Sequence, residues 1–110
     1  MLAKNNRLTK KKDFDAVFTK GKSVKQGFLL VKMAPNALPE NRYGFVISKK
    51  VSPKATVRNK LKRQLRTIVA ALPAPSQNSQ DFVFIVLPGL QKEPFTLLEG
   101  LVANIFKKIK

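Results

Sequence analysis

One segment of the chain, residues 48–66, combines a dense run of Lys and Arg with no acidic residue. Its second half repeats apolar residues at helical spacing, and at about 100° per residue they fill roughly one third of the helix circumference. The apolar positions are Val57, Leu61, Leu65, Ile68, Val69 and Leu72. A helix from about residue 54 to residue 72 is therefore predicted, with its apolar side against a core and its start capped by Ser52 or Thr56.

The cations of this helix lie outside its apolar side. Arg58, Lys62 and Arg66 recur every four residues along one edge, where like charges destabilise an isolated helix by about 0.2–0.5 kcal/mol per pair. The other polar candidates are Asn59, Lys60 and Arg63. A solvated, cation-rich face is the plain interpretation. We favour a surface that binds a polyanion. No acidic neighbour offsets the repulsion among these cations, whereas the phosphates of a bound polyanion would offset it.

The overall charge supports that interpretation. The 110 residues, enough for one domain, include 22 Lys and Arg against 6 Asp and Glu, which gives a net charge of +16. Such a field attracts polyanions. A nucleic acid is the leading partner, and an anionic membrane surface is the second candidate. Because no signal peptide or long apolar run is visible, the cytoplasm is the expected compartment.

Catalysis by the protein itself is disfavoured. The chain has no Cys and no His, so it lacks thiolate ligands, the commonest general base and the commonest transition-metal ligand. Its acidic residues are scattered along the sequence at Asp13, Asp15, Glu40, Asp81, Glu93 and Glu99. Hydrolysis without His would require carboxylates clustered around metal ions. We therefore expect no catalytic residue, no bound metal and no cofactor in the protein.

The remaining elements predict a layered fold. A first helix runs from a cap at Thr9 to about Lys20 and ends at Gly21, after a basic arm, residues 1–9, that is expected to be mobile when free. Extended segments follow at 22–34, with a strand at 28–33, and at 43–48. After the basic helix come a polar linker at 73–80, a buried strand at 82–87 and a last helix from Pro94. Helices covering a small mixed sheet in an α/β sandwich are the predicted architecture.

These residues resemble the protein subunit of bacterial ribonuclease P. The family signature is a strand ending in Ser-Lys-Lys, a turn and an Arg-Asn-Arg helix, which here reads Ser-Lys-Lys at 48–50 and Arg-Asn-Lys-Leu-Lys-Arg-Gln-Leu-Arg at 58–66. The opening and last strand also agree, at Arg7, Leu8, Asp13, Phe14, Val17, Phe18, Gly21, Asp81, Phe82, Val83, Pro88 and Gly89. Two departures are Lys60 in place of Arg, which removes a bidentate fork, and Ser52-Pro53 where Gly is common.

The resemblance implies a function and a fold. Members of the family assist an RNA catalyst, which uses Mg²⁺, in removing the 5′ leader of precursor tRNA. The implied order is αβββαβα, with four strands, three helices and a left-handed crossover between the third and fourth strands. The implied contacts with the catalytic RNA are Lys49, Lys50, Lys54, Arg58, Asn59, Lys60, Lys62, Arg63 and Arg66. The implied leader cleft contains Phe14, Phe18, Lys10, Lys12 and Lys32.

Several alternatives stay open at this stage. Phe14 and Phe18, four residues apart, either anchor the first helix to the sheet or stack on single-stranded bases, and one ring can do both. A small ribosomal-type protein or an RNA chaperone would share the charge and fold class. DNA and membranes are disfavoured, because the exposed helix face is almost wholly cationic and the apolar side is needed for the core.

Overall fold

The computed structural model describes residues 6–73 and 79–109 of the chain. In order, its α-helices and strands are α1 (Lys11–Lys20), β1 (Lys22–Gln26), β2 (Leu29–Pro35), β3 (Arg42–Ile47), α2 (Ala55–Ala71), β4 (Gln80–Val86) and α3 (Phe95–Lys108). The four strands form one sheet in the order β1-β2-β4-β3. Strand β3 pairs with β4 in parallel, whereas the β1–β2 and β2–β4 pairs are antiparallel. This architecture confirms the predicted mixed sheet and the order αβββαβα; the hand of the β3–α2–β4 connection stays a prediction.

The helices divide between the two faces of the sheet. Because side chains alternate along a strand, one face carries Phe82 and Phe84 of β4, which are fully buried beneath α2 and α3. Leu65 of α2 and Ile105 of α3 are fully buried in the same cluster. The other face is covered by α1, whose Val17 packs with Val83 in a second, smaller cluster. The basic helix and α1 thus lie on opposite sides of one sheet.

The apolar side of α2 matches its prediction. Leu61, Leu65, Ile68 and Val69 are its buried residues. Its N-cap position, however, is Lys54, which makes no side-chain cap hydrogen bond, so the predicted caps at Ser52 and Thr56 are wrong. The hydroxyl of Ser52 instead accepts a hydrogen bond from the backbone N–H of Lys54, at 3.2 Å. It therefore supports the turn before the helix.

Two other boundaries differ from the sequence predictions. The extended segment at 22–34 is divided into β1 and β2 by a turn at Gly27, whose φ of +56° favours glycine, so Phe28 lies in the turn and not in the strand. The N-cap of α1 is Lys10 and not Thr9. Gly21 does end α1, but with φ −77°. A Cβ atom there would lie 2.3 Å from the carbonyl oxygen of Val17, so the requirement is for space.

The segment before α1 follows the free edge of β3. Leu8 is buried, and its N–H donates to the carbonyl of Tyr43 at 2.9 Å. The side-chain amide of Asn6 donates to the carbonyl of Asn41 at 2.8 Å. Residues 1–5 of the basic arm and 74–78 of the polar linker lie outside the described residues, and mobility of the free arm stays a prediction.

Candidate RNA interface

Nine of the candidate residues form one surface, which we call the α2 basic surface. They lie on α2 and on the connection before it: Lys49, Lys50, Lys54, Arg58, Asn59, Lys60, Lys62, Arg63 and Arg66. Lys60 and Arg63 are exposed, whereas Arg58, Lys62 and Arg66 are half-buried along the edge of the apolar side. The first turn of α2 holds no acidic residue. The cations are therefore presented to solvent without a carboxylate on the same helix turn.

The connection before α2 is held in place by Arg58. One of its guanidinium nitrogens, Nη1, donates to the carbonyl oxygen of Ser52 at 2.8 Å. Val51 is buried in the main core cluster, and its N–H donates to the carbonyl of Ser48 at 3.1 Å. Lys49 and Lys50 are exposed within this turn. Arg58 therefore shapes the loop that carries two other candidate contacts, a structural role that sequence reasoning missed.

The second set of candidates lies on or next to α1 and on the sheet face that α1 covers, a region that we call the α1 cleft. Its floor is formed by Leu30, Ile85 and Val46, which are half-buried and lie side by side on β2, β4 and β3. Phe18 projects from α1 with 40% of its surface exposed. The ammonium nitrogen of Lys32 lies 5.9 Å from the centre of the Phe18 ring, within range of a cation–π contact. The structure therefore brings Phe18 and Lys32 together.

Phe14 has a more structural position than Phe18. It is half-buried and packs against the small cluster that contains Leu8 and Val17. Its ring lies directly over Gly44, where a Cβ atom would come within 2.5 Å of the ring atom Cζ. The anchoring interpretation therefore fits Phe14 better, whereas the exposed ring of Phe18 is available for stacking.

Lys10 and Lys12 are placed differently from Lys32. Both are exposed at the beginning of α1, with Lys10 at the N-cap position. Lys12 and the buried Val17 are five positions apart, which places them about 140° apart around the helix. Lys12 therefore lies on the outer side of α1, and the structure does not bring it to the cleft floor. Leu30, Val46 and Ile85 were not predicted as cleft residues, although their alternation with buried positions could have indicated them.

A polar cluster fixes α1 over the sheet. Arg42 donates to both carboxylate oxygens of Asp81, from Nε at 2.8 Å and from Nη2 at 2.7 Å, and its Nη1 donates to Asp13 of α1 at 3.2 Å. These hydrogen bonds, those with Asp81 above all, raise the pKa of Arg42. The cluster joins α1, β3 and β4 at one end of the sheet. Sequence reasoning treated its acidic residues as scattered because they are distant in the sequence.

The part of the chain that the structure describes contains neither a metal-binding cluster nor a membrane-spanning helix. No three Asp or Glu residues there come close enough to hold a metal ion together. None of the described helices has the length and apolar character needed to cross a bilayer. That the protein binds no cofactor of its own stays a prediction.

Comparisons with known proteins agree across nearly the whole chain. A family model described as Ribonuclease P matches residues 2–110. The ribonuclease P protein component of Syntrophomonas wolfei is 37% identical over 108 residues, which cover 98% of this chain and 90% of the relative. The ribonuclease P protein from Thermotoga maritima has a similar structure, with TM-score 0.84, 30% identity, and coverage of 94% of this chain and 97% of the other. That of Staphylococcus aureus has TM-score 0.85, 25% identity, and coverage of 96% and 95%.

Proposed function

Because this chain belongs to the ribonuclease P protein family, as the protein component of a ribonucleoprotein endonuclease that processes tRNA, we propose that its two surfaces hold two different RNA segments. The α2 basic surface binds the catalytic RNA, and the α1 cleft binds the 5′ leader of precursor tRNA. In this proposal the RNA subunit performs the cleavage with Mg²⁺ bound in its own active site. The protein positions the substrate. The cytoplasm is the compartment that this division of labour implies.

The observation that carries the proposal is the separation of the two surfaces by the sheet. Exposed cations such as Lys60 and Arg63 on α2 suit phosphate contacts that hold a large RNA without reading its sequence. On the other face, the exposed Phe18 ring beside Lys32 offers a stacking platform next to a charge, which is the combination that binds single-stranded nucleic acid. The α2 basic surface therefore suits a large structured RNA, and the α1 cleft suits a single strand.

Charge explains why such a protein would help an RNA catalyst. The RNA and its substrate are both polyanions, and the net charge of +16 reduces their repulsion. Less Mg²⁺ is then needed to screen the phosphates. The alternative of a ribosomal-type protein or an RNA chaperone has no comparable support, because the family match extends over residues 2–110.

Reconstitution tests this proposal. A bacterial ribonuclease P RNA is combined with the protein, and 5′ cleavage of precursor tRNA is measured over a range of Mg²⁺ concentrations. We expect the protein to shift cleavage to lower Mg²⁺ and to leave the cleavage position unchanged. The same Mg²⁺ requirement with and without protein would contradict the proposal.

A further inference from the structure

A pocket at the free edge of β3 connects the two surfaces. It has a volume of about 240 Å³ and lies between the segment before α1, the strand β3 and the helix α2. Arg7 and Thr9 line one side, Lys62 and Arg66 line the other, and Phe14 of α1 and Gly44 of β3 also line it. One end therefore adjoins the α1 cleft at Phe14. The other end adjoins the α2 basic surface.

The charges around the pocket favour an anion. Arg7 and Arg66 are 59 positions apart in the sequence (66 minus 7), yet the fold brings both to the same pocket, together with Lys62. None of the described residues that line the pocket is Asp or Glu. The three cations are all half-buried, so their interaction with an anion is screened less than that of fully exposed lysines.

The start of α1 adds to this preference. The helix begins at Lys11, two residues after Thr9, and its N-cap residue Lys10 makes no side-chain cap hydrogen bond. The first N–H groups of a helix carry partial positive charge. This end of α1 therefore contributes to the positive potential that the three cations create.

We propose that this pocket binds one phosphodiester group of the 5′ leader and that Arg7 is a leader-binding residue. The inference rests on the proposed function, because it takes the α1 cleft as the path of the leader. Phe14, which the family resemblance places in that cleft, also lines the pocket. A leader that leaves the cleft toward α2 passes Phe14 and brings its backbone to Arg7, Lys62 and Arg66. The guanidinium of Arg7 can donate two parallel hydrogen bonds to a phosphate, which a lysine cannot.

The test neutralises single phosphates of the leader. Precursor tRNAs carrying one methylphosphonate at successive leader positions are bound to the reconstituted complex, which contains wild-type protein or Arg7→Ala. With wild-type protein, neutralising one phosphate close to the cleavage site should lower the affinity by about tenfold, since the charge-assisted hydrogen bonds to that phosphate are lost. With the Arg7→Ala protein, the unmodified substrate should bind about tenfold less tightly than with wild-type protein. Neutralising the same phosphate should then have little further effect on the affinity.

Two further variants sharpen the result. Arg7→Lys should restore part of the affinity, because it keeps the charge and loses the planar fork. Lys107→Ala, an exposed charge on α3, removes one cation elsewhere and should keep the methylphosphonate effect. The slope of log affinity against log salt should fall by about 0.7 in Arg7→Ala, as expected for one lost contact to a single strand.

The outcomes separate this inference from the proposed function. If neutralisation and Arg7→Ala have additive effects at every leader position, Arg7 contacts no single leader phosphate and the inference is overturned. If Arg7→Ala weakens binding of the catalytic RNA before any precursor tRNA is added, the pocket belongs to that RNA and the leader assignment is wrong. In either case a preserved preference for leader-bearing over mature tRNA would leave the proposed function intact.

Discussion

Arg42 and Asp81 form a two-point ion pair at the end of the sheet that supports α1. Arg42 Nε and Nη2 donate to the two oxygens of Asp81 at 2.8 and 2.7 Å, while Nη1 reaches Asp13 on α1 at 3.2 Å. The side-chain amide of Asn36 donates to Asp81 as well, at 2.9 Å. Asp81 is only 7% exposed. One guanidinium therefore connects the helix that carries Phe14 and Phe18 to two strands of the sheet.

Replacing Asp81 by Asn should destabilise the fold, because the guanidinium of Arg42 loses the charge of the carboxylate that accepts two of its hydrogen bonds and keeps only the longer ion pair with Asp13. We expect a loss of about 2–3 kcal/mol in the free energy of unfolding, below the 3–5 kcal/mol of a fully buried pair because the Arg42 side chain remains 21% exposed. Urea denaturation measures it. Asp15→Asn, on the exposed side of α1, is the matched control and should change stability by less than about 0.5 kcal/mol. Equal losses in the two variants would show that the ion pair is not the cause.

Gly44→Ala should displace Phe14. The added Cβ would lie 2.5 Å from Cζ of Phe14 and 3.2 Å from Cβ of Leu8, so the ring must move away from the sheet. Overpacking of this kind costs about 1–3 kcal/mol, and thermal unfolding should report it. Gly100→Ala in α3 is the control, because its Cβ would meet nothing within 4 Å and alanine favours a helix by about 1 kcal/mol. Unchanged stability in Gly44→Ala would disprove the close contact.

Tyr43 should ionise at unusually high pH. Burial raises its pKa above the ordinary value of 10.0, and a hydrogen bond with Asn41 only partly opposes this. Tyr43 is the single tyrosine of the chain, so the ultraviolet absorbance of the phenolate reports on it alone. Because the raised pKa belongs to the folded state, its contribution to stability is complete below about pH 10 and is lost as the pH rises through the folded pKa. Tyr43→Phe should lack that alkaline loss, and a titration midpoint at or below 10.0 would refute the burial effect.

Arg58 and Arg63 should differ when each is replaced by Ala. Arg58 donates to the carbonyl of Ser52 at 2.8 Å, whereas Arg63 is exposed. Arg58→Ala should therefore lower both the affinity for the catalytic RNA and the free energy of unfolding, the latter by about 1 kcal/mol. Arg63→Ala should lower the affinity alone. Filter binding and urea denaturation measure the two quantities, and a stability loss of equal size in both variants would contradict the assigned roles.

Local patterns predicted much of this fold, and contacts between distant residues explain the rest. The repeat through Leu61 and Leu65 identified α2 because both positions depend only on helical geometry. The pair of Arg42 and Asp81 was missed because the two residues are 39 positions apart and no local spacing indicates their contact. The extended segment predicted at 22–34 was not divided at Gly27, because an apolar run continues through Phe28 into β2 and hides the boundary.

For the candidate site too, local patterns and the family resemblance predicted one part, and contacts between distant residues explain the rest. The cations of α2 were identified by their spacing on one helix, and the resemblance to a family identified Phe14 and Phe18. The exposure of each ring depends on the position of α1, which lies across the sheet with Phe14 over Gly44. The sequence does not reveal that position. Arg7 was assigned to a basic arm, because its position beside Lys62 and Arg66 appears only after the segment pairs with β3.

The most direct test of the central claim compares affinities for precursor and mature tRNA, measured with the catalytic RNA present, for wild-type protein and Phe18→Ala. The account predicts that wild-type complexes bind the leader-bearing substrate more tightly. It also predicts that Phe18→Ala loses about 1–3 kcal/mol of that preference, the contribution of one stacked base, while its affinity for the catalytic RNA is unchanged. Equal affinities for precursor and mature tRNA with wild-type protein would contradict the assignment of the α1 cleft to the leader.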